Sequence, residues 1–216
     1  KSLSMKNIHK LAAIDIGSNA VRLLIPSIRI NKTDTKFKKI SLVRVPLRLG
    51  EDVFSKGKIS DKKLIKLQKT LKAFKILMQI HEVYMFKAVA TSAMREAVNS
   101  TKIIEDIFKK LNIKIDLISG KKEALMIANV FLNSIENLTN NYLYVDVGGG
   151  STELNLISKN KIIDTKSFKI GTVRTLNNIT KDISWHNFKN WIENNSNLYK
   201  NIAVSYTHLT LPTSRS

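Results

Sequence analysis

Two segments of this chain repeat one pattern, and that repeat restricts the possible folds more than any other feature of the sequence. Leu11–Ile25 and Tyr142–Ile157 each contain an apolar run that ends in Asp, then a short turn of Gly and other small residues, then a second apolar run. The two acidic residues, Asp15 and Asp146, lie far apart in the chain. The repeat therefore indicates two related lobes rather than a solenoid of short units.

The two turns have the composition of anion-binding loops. Glycine takes up positive φ without a steric clash, so consecutive backbone amides can converge on one point. Such a nest of N–H groups binds phosphate, and nearby hydroxyl and amide side chains add donors. The alternative is a pair of Gly-rich hairpin turns without a ligand. The predicted phosphate-binding residues of the turns are Gly17, Ser18, Asn19, Gly148, Gly149, Gly150, Ser151 and Thr152.

A carboxylate precedes each turn. Asp15 and Asp146 would repel a phosphate unless a cation lay between them. We therefore expect Mg²⁺ to bridge the two turns and a chain of phosphates.

Composition narrows the class of protein. The chain has 216 residues, 43% of them hydrophobic and 25% charged, which is ordinary for a globular protein. It has no cysteine, which excludes disulfides and thiolate metal sites and fits a reducing compartment. We found neither a signal-peptide pattern nor an apolar run long enough for a membrane span. A cytoplasmic location without membrane contact is expected, with Met5 as a candidate initiator.

The net charge of +19 predicts attraction to polyanions. Nucleic acid is a rival partner on charge alone, but the chain lacks an RNP motif, a zinc finger and an aromatic stacking platform. Nucleic acid is therefore not the expected partner. The sequence does not fix the oligomeric state, and a homodimer is compatible with it.

Periodicity predicts the same three-strand meander in both halves, followed by helices. The predicted strands are Lys10–Ile16, Ala20–Ile30, Phe37–Pro46, Val83–Ala90, Ile113–Ile118, Tyr142–Val147, Thr152–Ser158 and Lys161–Phe168. The predicted helices are Asp61–Gln79, Ser100–Leu111, Lys121–Ile135, Val173–Asn178 and Trp185–Glu193. Arg48–Ser60 is expected to be a long polar loop, Thr91–Met94 a turn and Asn31–Thr35 another turn.

The predicted organisation is a first lobe over residues 5–120, a partial second lobe over 121–204 and a non-native tail over 205–216. The tail SYTHLTLPTSRS contains no Lys, Asn or Ile, although these residues are frequent in the rest of the chain. It is similar to translated adapter or vector sequence. The second lobe lacks the later strands of the first. We therefore expect the sequence to be a fragment that is poorly soluble or inactive as it stands.

Several segments together resemble one known family, the exopolyphosphatases and guanosine pentaphosphate phosphohydrolases of the actin-like and sugar-kinase-like ATPase superfamily. The matching segments are Ala13–Ile25, Pro46–Ser60, Val89–Ala97, Ile118–Ala124, Val145–Leu154 and, more weakly, Phe168–Arg174. The resemblance implies an α/β fold of two ribonuclease-H-like lobes flanking a cleft that holds phosphate.

The resemblance also implies roles for individual residues. Glu123 matches the catalytic base, although Lys122 stands where the family often has a second acid. Arg95 and Arg22 match phosphate contacts, and a guanidinium can bind phosphate oxygens in bidentate fashion. Asp146, with Glu153 as a helper, matches the Mg²⁺ site.

The expected function is release of orthophosphate from the end of inorganic polyphosphate by metal-assisted attack of water. One alternative is hydrolysis of the 5'-phosphate of guanosine pentaphosphate. Others are a non-catalytic polyphosphate or nucleotide sensor, and a sugar or acetate kinase of the same superfamily. The chain has no HExxH spacing and no Gly-x-x-x-x-Gly-Lys-Ser/Thr motif, which argues against a zinc site and a P-loop.

Overall fold

The computed structural model describes residues 8–30, 35–134 and 140–206. The chain divides into two compact units, Lys1–Leu117 and Ile118–Ser216. The predicted turn at Asn31–Thr35 falls largely outside the described residues, and so do Met5 and most of the predicted tail.

The described residues of unit 1 form five strands and four helices. Its strands are β1 Ile8–Ile16, β2 Val21–Ile30, β3 Thr35–Val45, β4 Met85–Ala90 and β5 Ile115–Leu117. Its helices are α1 Leu49–Lys56, α2 Asp61–Ile80, α3 Ser92–Glu96 and α4 Ser100–Leu111. The strand order is β3-β2-β1-β4-β5, with the first three strands antiparallel and β1, β4 and β5 parallel.

Unit 2 starts with a helix and then repeats the meander. Its strands are β6 Tyr142–Val147, β7 Thr152–Ser158, β8 Lys161–Phe168 and β9 Asn201–Tyr206. Its helices are α5 Gly120–Ser134, α6 Thr172–Leu176 and α7 Asp182–Asn195, followed by a 3₁₀ turn at Ser196–Leu198. The order β8-β7-β6-β9, with β9 parallel to β6, matches the order β3-β2-β1-β4 of the first four strands in the sheet of unit 1. The predicted α/β fold with two related lobes is confirmed.

Alternation along the strands places the core of unit 1 on one face of its sheet. Ile14 and Ile16 on β1, with Leu23 on β2, are almost fully buried under α2, whose stripe of Leu67, Leu71, Phe74 and Met78 packs on the same core. Asp15 and Arg22 therefore lie on the opposite face.

The predicted loop at Arg48–Ser60 is wrong, because this segment contains helix α1. Leu49 and Val53 are one helical turn apart and both pack into the core. Gly57 ends the helix in the left-handed region at φ 73°, where its N–H donates to the carbonyl of Val53. Two glycines favoured a loop, but one of them is this helix cap. The predicted turn at Thr91–Met94 is likewise wrong, since Ser92–Glu96 forms helix α3.

The prediction that unit 2 lacks every later strand is also wrong, because β9 pairs with β6 along its whole length. The backbone of Ser205 and Tyr206, the first two residues of the predicted tail, belongs to this strand.

The two sheets differ in packing at equivalent positions of the repeat. Ile14 and Ile16 are buried in unit 1, whereas Val145 and Val147, their repeat equivalents, line a cavity of about 360 Å³ beside Trp185.

On the described part of the chain, no helix has the length and apolar character needed to cross a membrane.

Candidate active site

The first turn of the repeat is closed by its own backbone and anchored to helix α1. Gly17 N–H donates to the carbonyl of Ala20 at 3.1 Å. The carbonyls of Ser18 and Asn19 accept from the amides of Gly50 and Arg48, both at 2.8 Å. No described residue accepts a hydrogen bond from the amides of Ser18 and Asn19. The turn therefore directs its carbonyls at α1 and keeps two N–H donors for a ligand.

The second turn repeats this arrangement in unit 2. Gly148 N–H donates to the carbonyl of Ser151 at 2.9 Å. The carbonyls of Gly148 and Gly149 accept from Thr172 and Val173 at the start of α6, at 3.0 and 2.9 Å. Along the described chain, the amides of Gly149 and Gly150 have no acceptor either.

The side chain of Ser18 is used inside unit 1. Its hydroxyl lies 2.7 Å from that of Ser92 and accepts from the amide of Ala93 at 3.2 Å, and all three residues are buried. Ser18 thus fastens the first turn to the start of α3. If Ser18 binds phosphate as predicted, its backbone N–H is the group that does so.

Asp15 and Arg22 form an ion pair next to the first turn. They lie directly opposite each other on β1 and β2, and Arg22 Nη1 donates to Asp15 Oδ2 at 3.0 Å. Burial raises the pKa of Asp15, and the charge and hydrogen bond of Arg22 oppose that rise. The acid of this copy is thus already offset by a cation within its own unit.

Arg95 lies in the last turn of α3, the helix that follows β4. Its side chain is half-buried and engaged with other groups of the protein. α3 begins directly after the parallel strand β4, at the end of the sheet where the Gly17–Ala20 turn lies.

Asp146 and Glu153 are the corresponding pair of unit 2. They lie directly opposite each other on β6 and β7, and both side chains are buried, with 3% and 1% exposure. Burial, followed by the negative charge of Glu123, raises the pKa of Glu153 to about 8. Hydrogen bonds from Ser151 and Ser167 lower it, and the charge of Asp146 raises it further.

Glu123 lies in the first turn of α5, where its N–H donates to the carbonyl of Ser119 at 2.9 Å. α5 packs on the sheet face that carries Asp146 and Glu153, since Phe131 of this helix stacks on Tyr144 at 4.4 Å. Unit 2 therefore holds three carboxylates in mutual electrostatic reach beside a Gly-rich turn. The Glu123 side chain is half-buried, unlike that of a fully solvated surface glutamate.

The remaining predicted residue of the second turn, Thr152, has a defined internal partner. Its buried hydroxyl donates to the carbonyl of Ile170 at 2.7 Å, on the sheet face opposite Glu153. In this arrangement the hydroxyl of Thr152 supports the segment leading to α6.

Sequence reasoning missed two residues that shape the second turn. Arg174 is 6% exposed, and its Nε donates to the carbonyl of Gly150 at 2.6 Å. Gly171 packs so closely that a Cβ would lie 2.6 Å from the carbonyl carbon of Gly149. Both belong to the weakest of the family-like segments, Phe168–Arg174, and that match was the available signal.

The acidic residues do not form a ready-made metal cage. Over residues 8–30, 35–134 and 140–206, no three His, Asp or Glu side chains converge closely enough to hold a metal ion. Asp15 belongs to unit 1, whereas Asp146 and Glu153 belong to unit 2. The bridging of the two turns by Mg²⁺ stays a prediction.

The two sheets have the same strand order, and each contains a strand–turn–strand repeat with an acid just before the turn. This architecture places the chain among proteins built of two ribonuclease-H-like lobes, as in actin-like ATPases. A match to a family model identifies the family within this class. The model described as Ppx/GppA phosphatase family matches residues 29–195, and the chain belongs to that family.

Individual relatives agree with this assignment. The chain is 35% identical over 205 residues to a bifunctional 3-dehydroquinate synthase/phosphatase of Fusobacterium nucleatum, covering 88% of this chain and 30% of that protein. It is 26% identical over 175 residues to exopolyphosphatase 2 of Mycobacterium tuberculosis, covering 76% and 53%. It is also 26% identical over 200 residues to a guanosine-5'-triphosphate,3'-diphosphate pyrophosphatase of Photobacterium profundum, covering 92% and 39%.

A solved structure gives the same result for the fold. The exopolyphosphatase from Cytophaga hutchinsonii aligns with a TM-score of 0.72 at 27% identity, over 86% of this chain and 60% of that chain. The sequence spans between 30% and 53% of the length of these curated relatives.

Proposed function

We propose that this chain is the part of a phosphoanhydride hydrolase that carries its catalytic base and phosphate-binding turns. The substrate is inorganic polyphosphate, and the reaction releases orthophosphate from its end by attack of water. The observation that carries this proposal is the grouping of Glu123, Asp146 and Glu153 beside the Gly148–Ser151 turn in unit 2. Membership of the phosphatase family and likeness to proteins named exopolyphosphatase support it.

Glu123 is the proposed general base. It is the half-buried member of the three acids, on a helix end, where a water molecule can reach it. A carboxylate in this position accepts a proton as the water attacks the terminal phosphorus. Because phosphoryl transfer leaves little covalent chemistry for the protein to perform, the reaction depends mainly on positioning and on stabilising the charge of the transition state.

Each unit is proposed to bind phosphate oxygens through the amides of its own turn, and unit 1 also through its arginines. Ser18, Asn19, Gly149 and Gly150 offer backbone donors without an acceptor among the described residues. Arg22 and Arg95 would add guanidinium contacts. Arg174 stabilises the second turn by donating a hydrogen bond from Nε to the carbonyl of Gly150.

The residues of unit 2 suit a hard divalent cation such as Mg²⁺. Asp146 and Glu153 offer buried carboxylate oxygens, the ligands that Mg²⁺ prefers, and their crowding of negative charge is unfavourable without a cation. When bound, the ion would offset charge on the phosphate oxygens. Asp15, whose charge Arg22 already offsets, is the weaker of the proposed ligands.

The test is Mg²⁺-dependent release of orthophosphate from long-chain polyphosphate by the full-length protein that contains this sequence. The Glu123→Gln variant should bind polyphosphate normally and release no phosphate. Glu105→Gln, an exposed glutamate of α4, is the matched control and should behave as the parent. Normal turnover by Glu123→Gln would exclude Glu123 as the base.

Guanosine pentaphosphate is the second candidate substrate. The relative from Photobacterium profundum that is named guanosine-5'-triphosphate,3'-diphosphate pyrophosphatase aligns with 92% of this chain. Comparing initial rates of phosphate release from guanosine pentaphosphate and from polyphosphate separates the two. Binding of polyphosphate without release from either substrate would favour a sensor, which needs no catalytic base.

A further inference from the structure

Three charged side chains form a row across the first three strands of unit 1. Asp15 on β1 lies opposite Arg22 on β2, and Arg22 lies opposite Arg44 on β3. Directly opposed residues of antiparallel strands project from the same face of the sheet, with Cβ atoms about 5 Å apart. The row therefore lies on the face opposite the apolar core, close to the Gly17–Ala20 turn.

Each of the two arginines in this row has an Nε–H donor without a hydrogen-bond partner among the described residues. The Nε atoms of Arg22 and Arg44 are both buried, and neither has an acceptor within the part of the chain that the structure describes. Arg22 has its one carboxylate contact through Nη1. The half-buried side chain of Arg44 forms no hydrogen bond or ion pair with a described residue.

This arrangement is unfavourable for the protein by itself. Like charges directly opposite each other on two strands repel, and the one carboxylate, Asp15, balances only one of the two guanidinium groups. A buried N–H donor without an acceptor adds a further cost. An anion with several oxygen acceptors would remove both penalties, because a guanidinium binds phosphate oxygens through two parallel N–H groups.

The row is open to such a ligand. Leu24 and Leu42, the opposed pair next to Arg22 and Arg44 on the same face, are 36% and 51% exposed. The adjoining turn offers the amides of Ser18 and Asn19. Phosphate groups spaced along one chain could contact the turn and the arginines together, whereas a single orthophosphate could not.

We infer that Arg44, together with Arg22, forms a subsite for the inner phosphates of an extended phosphate chain. This inference rests on the proposed function and narrows its substrate class. It makes Arg44 a binding residue that selects long chains over short ones. It assigns Arg44 no part in the chemical step.

Binding measurements on the full-length protein test this subsite. Long-chain polyphosphate and tripolyphosphate are titrated calorimetrically into Glu123→Gln, which blocks turnover, with and without Arg44→Gln. Arg44→Gln should weaken long-chain binding about tenfold and tripolyphosphate binding less than threefold. Arg44→Lys should give an intermediate loss, because it keeps the charge but not the bidentate geometry. Arg29→Gln, an exposed arginine of β2, should change both affinities less than twofold.

A stability measurement separates binding from a structural role. Because Arg44 has an unpaired buried N–H and a like-charged neighbour, Arg44→Met should keep or raise the midpoint of urea unfolding without ligand. A clear fall in that midpoint, or an equal loss of affinity for all chain lengths, would overturn the inference. Unchanged long-chain affinity in Arg44→Gln and Arg44→Lys would also overturn it, even if phosphate release by the parent upholds the proposed function.

Discussion

Arg22 and Glu153 occupy the same position in the two copies of the strand–turn–strand repeat. Each lies directly opposite the acid that ends the preceding strand, Arg22 opposite Asp15 and Glu153 opposite Asp146. The same backbone arrangement thus holds an acid paired with an arginine in unit 1 and two opposed acids in unit 2. This difference makes the second copy the more favourable position for a cation, in agreement with Asp146 and Glu153 as the stronger of the proposed Mg²⁺ ligands.

The buried carboxyl of Glu153 makes stability depend on pH. Its pKa of about 8 in the folded protein, against 4.5 as its ordinary value, means that folding takes up a proton between these values. The contribution of Glu153 to the free energy of unfolding should therefore be largest below pH 4.5 and be lost as the pH rises through 8. Full ionisation would cost on the order of 3–5 kcal/mol, since one pKa unit corresponds to about 1.4 kcal/mol.

Urea unfolding at pH 5.5 and pH 8.5, with divalent cations removed, measures this effect. Glu153→Gln should lose most of the difference between the two pH values, and the exposed Glu193→Gln should keep it. Equal pH dependence in the parent and in Glu153→Gln would show that Glu153 is not the titrating group.

A divalent cation should stabilise the protein most where Glu153 is ionised. At pH 8.5, Mg²⁺ should raise the midpoint of thermal unfolding, because an ion that binds only the folded state adds about 2.7 kcal/mol at 100 times its dissociation constant. Asp146→Asn should abolish that shift, whereas Asp182→Asn, on an exposed helix end, should retain it. A shift of the same size in Asp146→Asn would remove Asp146 from the proposed metal ligands.

Gly171 and Gly57 should respond differently to replacement by alanine. A Cβ on Gly171 would overlap the backbone of Gly149 and Gly150 at 2.6–2.7 Å, so the second turn would have to move. We expect Gly171→Ala to lower stability by about 1–3 kcal/mol and to weaken polyphosphate binding. Gly57 has open space around its Cβ position but lies at φ 73°, so Gly57→Ala should cost about 1 kcal/mol without affecting binding. Chemical unfolding and calorimetry on both variants check this, and intact binding by Gly171→Ala would contradict it.

Ser18→Ala should loosen the first turn from α3. The substitution leaves the hydroxyl of Ser92 and the amide of Ala93 without their buried partner, at a cost of about 1–3 kcal/mol. Ser27→Ala removes only an exposed bond of 3.4 Å and should cost less than about 0.5 kcal/mol. The two variants are compared by urea unfolding, and equal costs would show that the Ser18 bond does not hold the turn.

Much of the fold could be predicted because the strands of both meanders alternate or run apolar over their full length. The first three strands of unit 2, β6 to β8, were predicted with the bounds that the structure gives. α1 could not be recognised in the same way, because Gly50 lies between its buried residues Leu49 and Val53 and Gly57 follows directly after the helix. Only packing against the core selects a helix there over a loop.

The sequence by itself determined the repeat, the α/β class, the two turns and the acids that precede them, since these are local patterns of residue type and spacing. Tertiary structure decided which partners those residues have. It placed Glu153 in a buried, like-charged setting and paired Asp15 with Arg22. It also put Arg44 in one row with Arg22, and Arg174 behind the second turn. Strand register, burial and charge proximity arise only when distant segments pack together, so residue spacing along the chain cannot specify them.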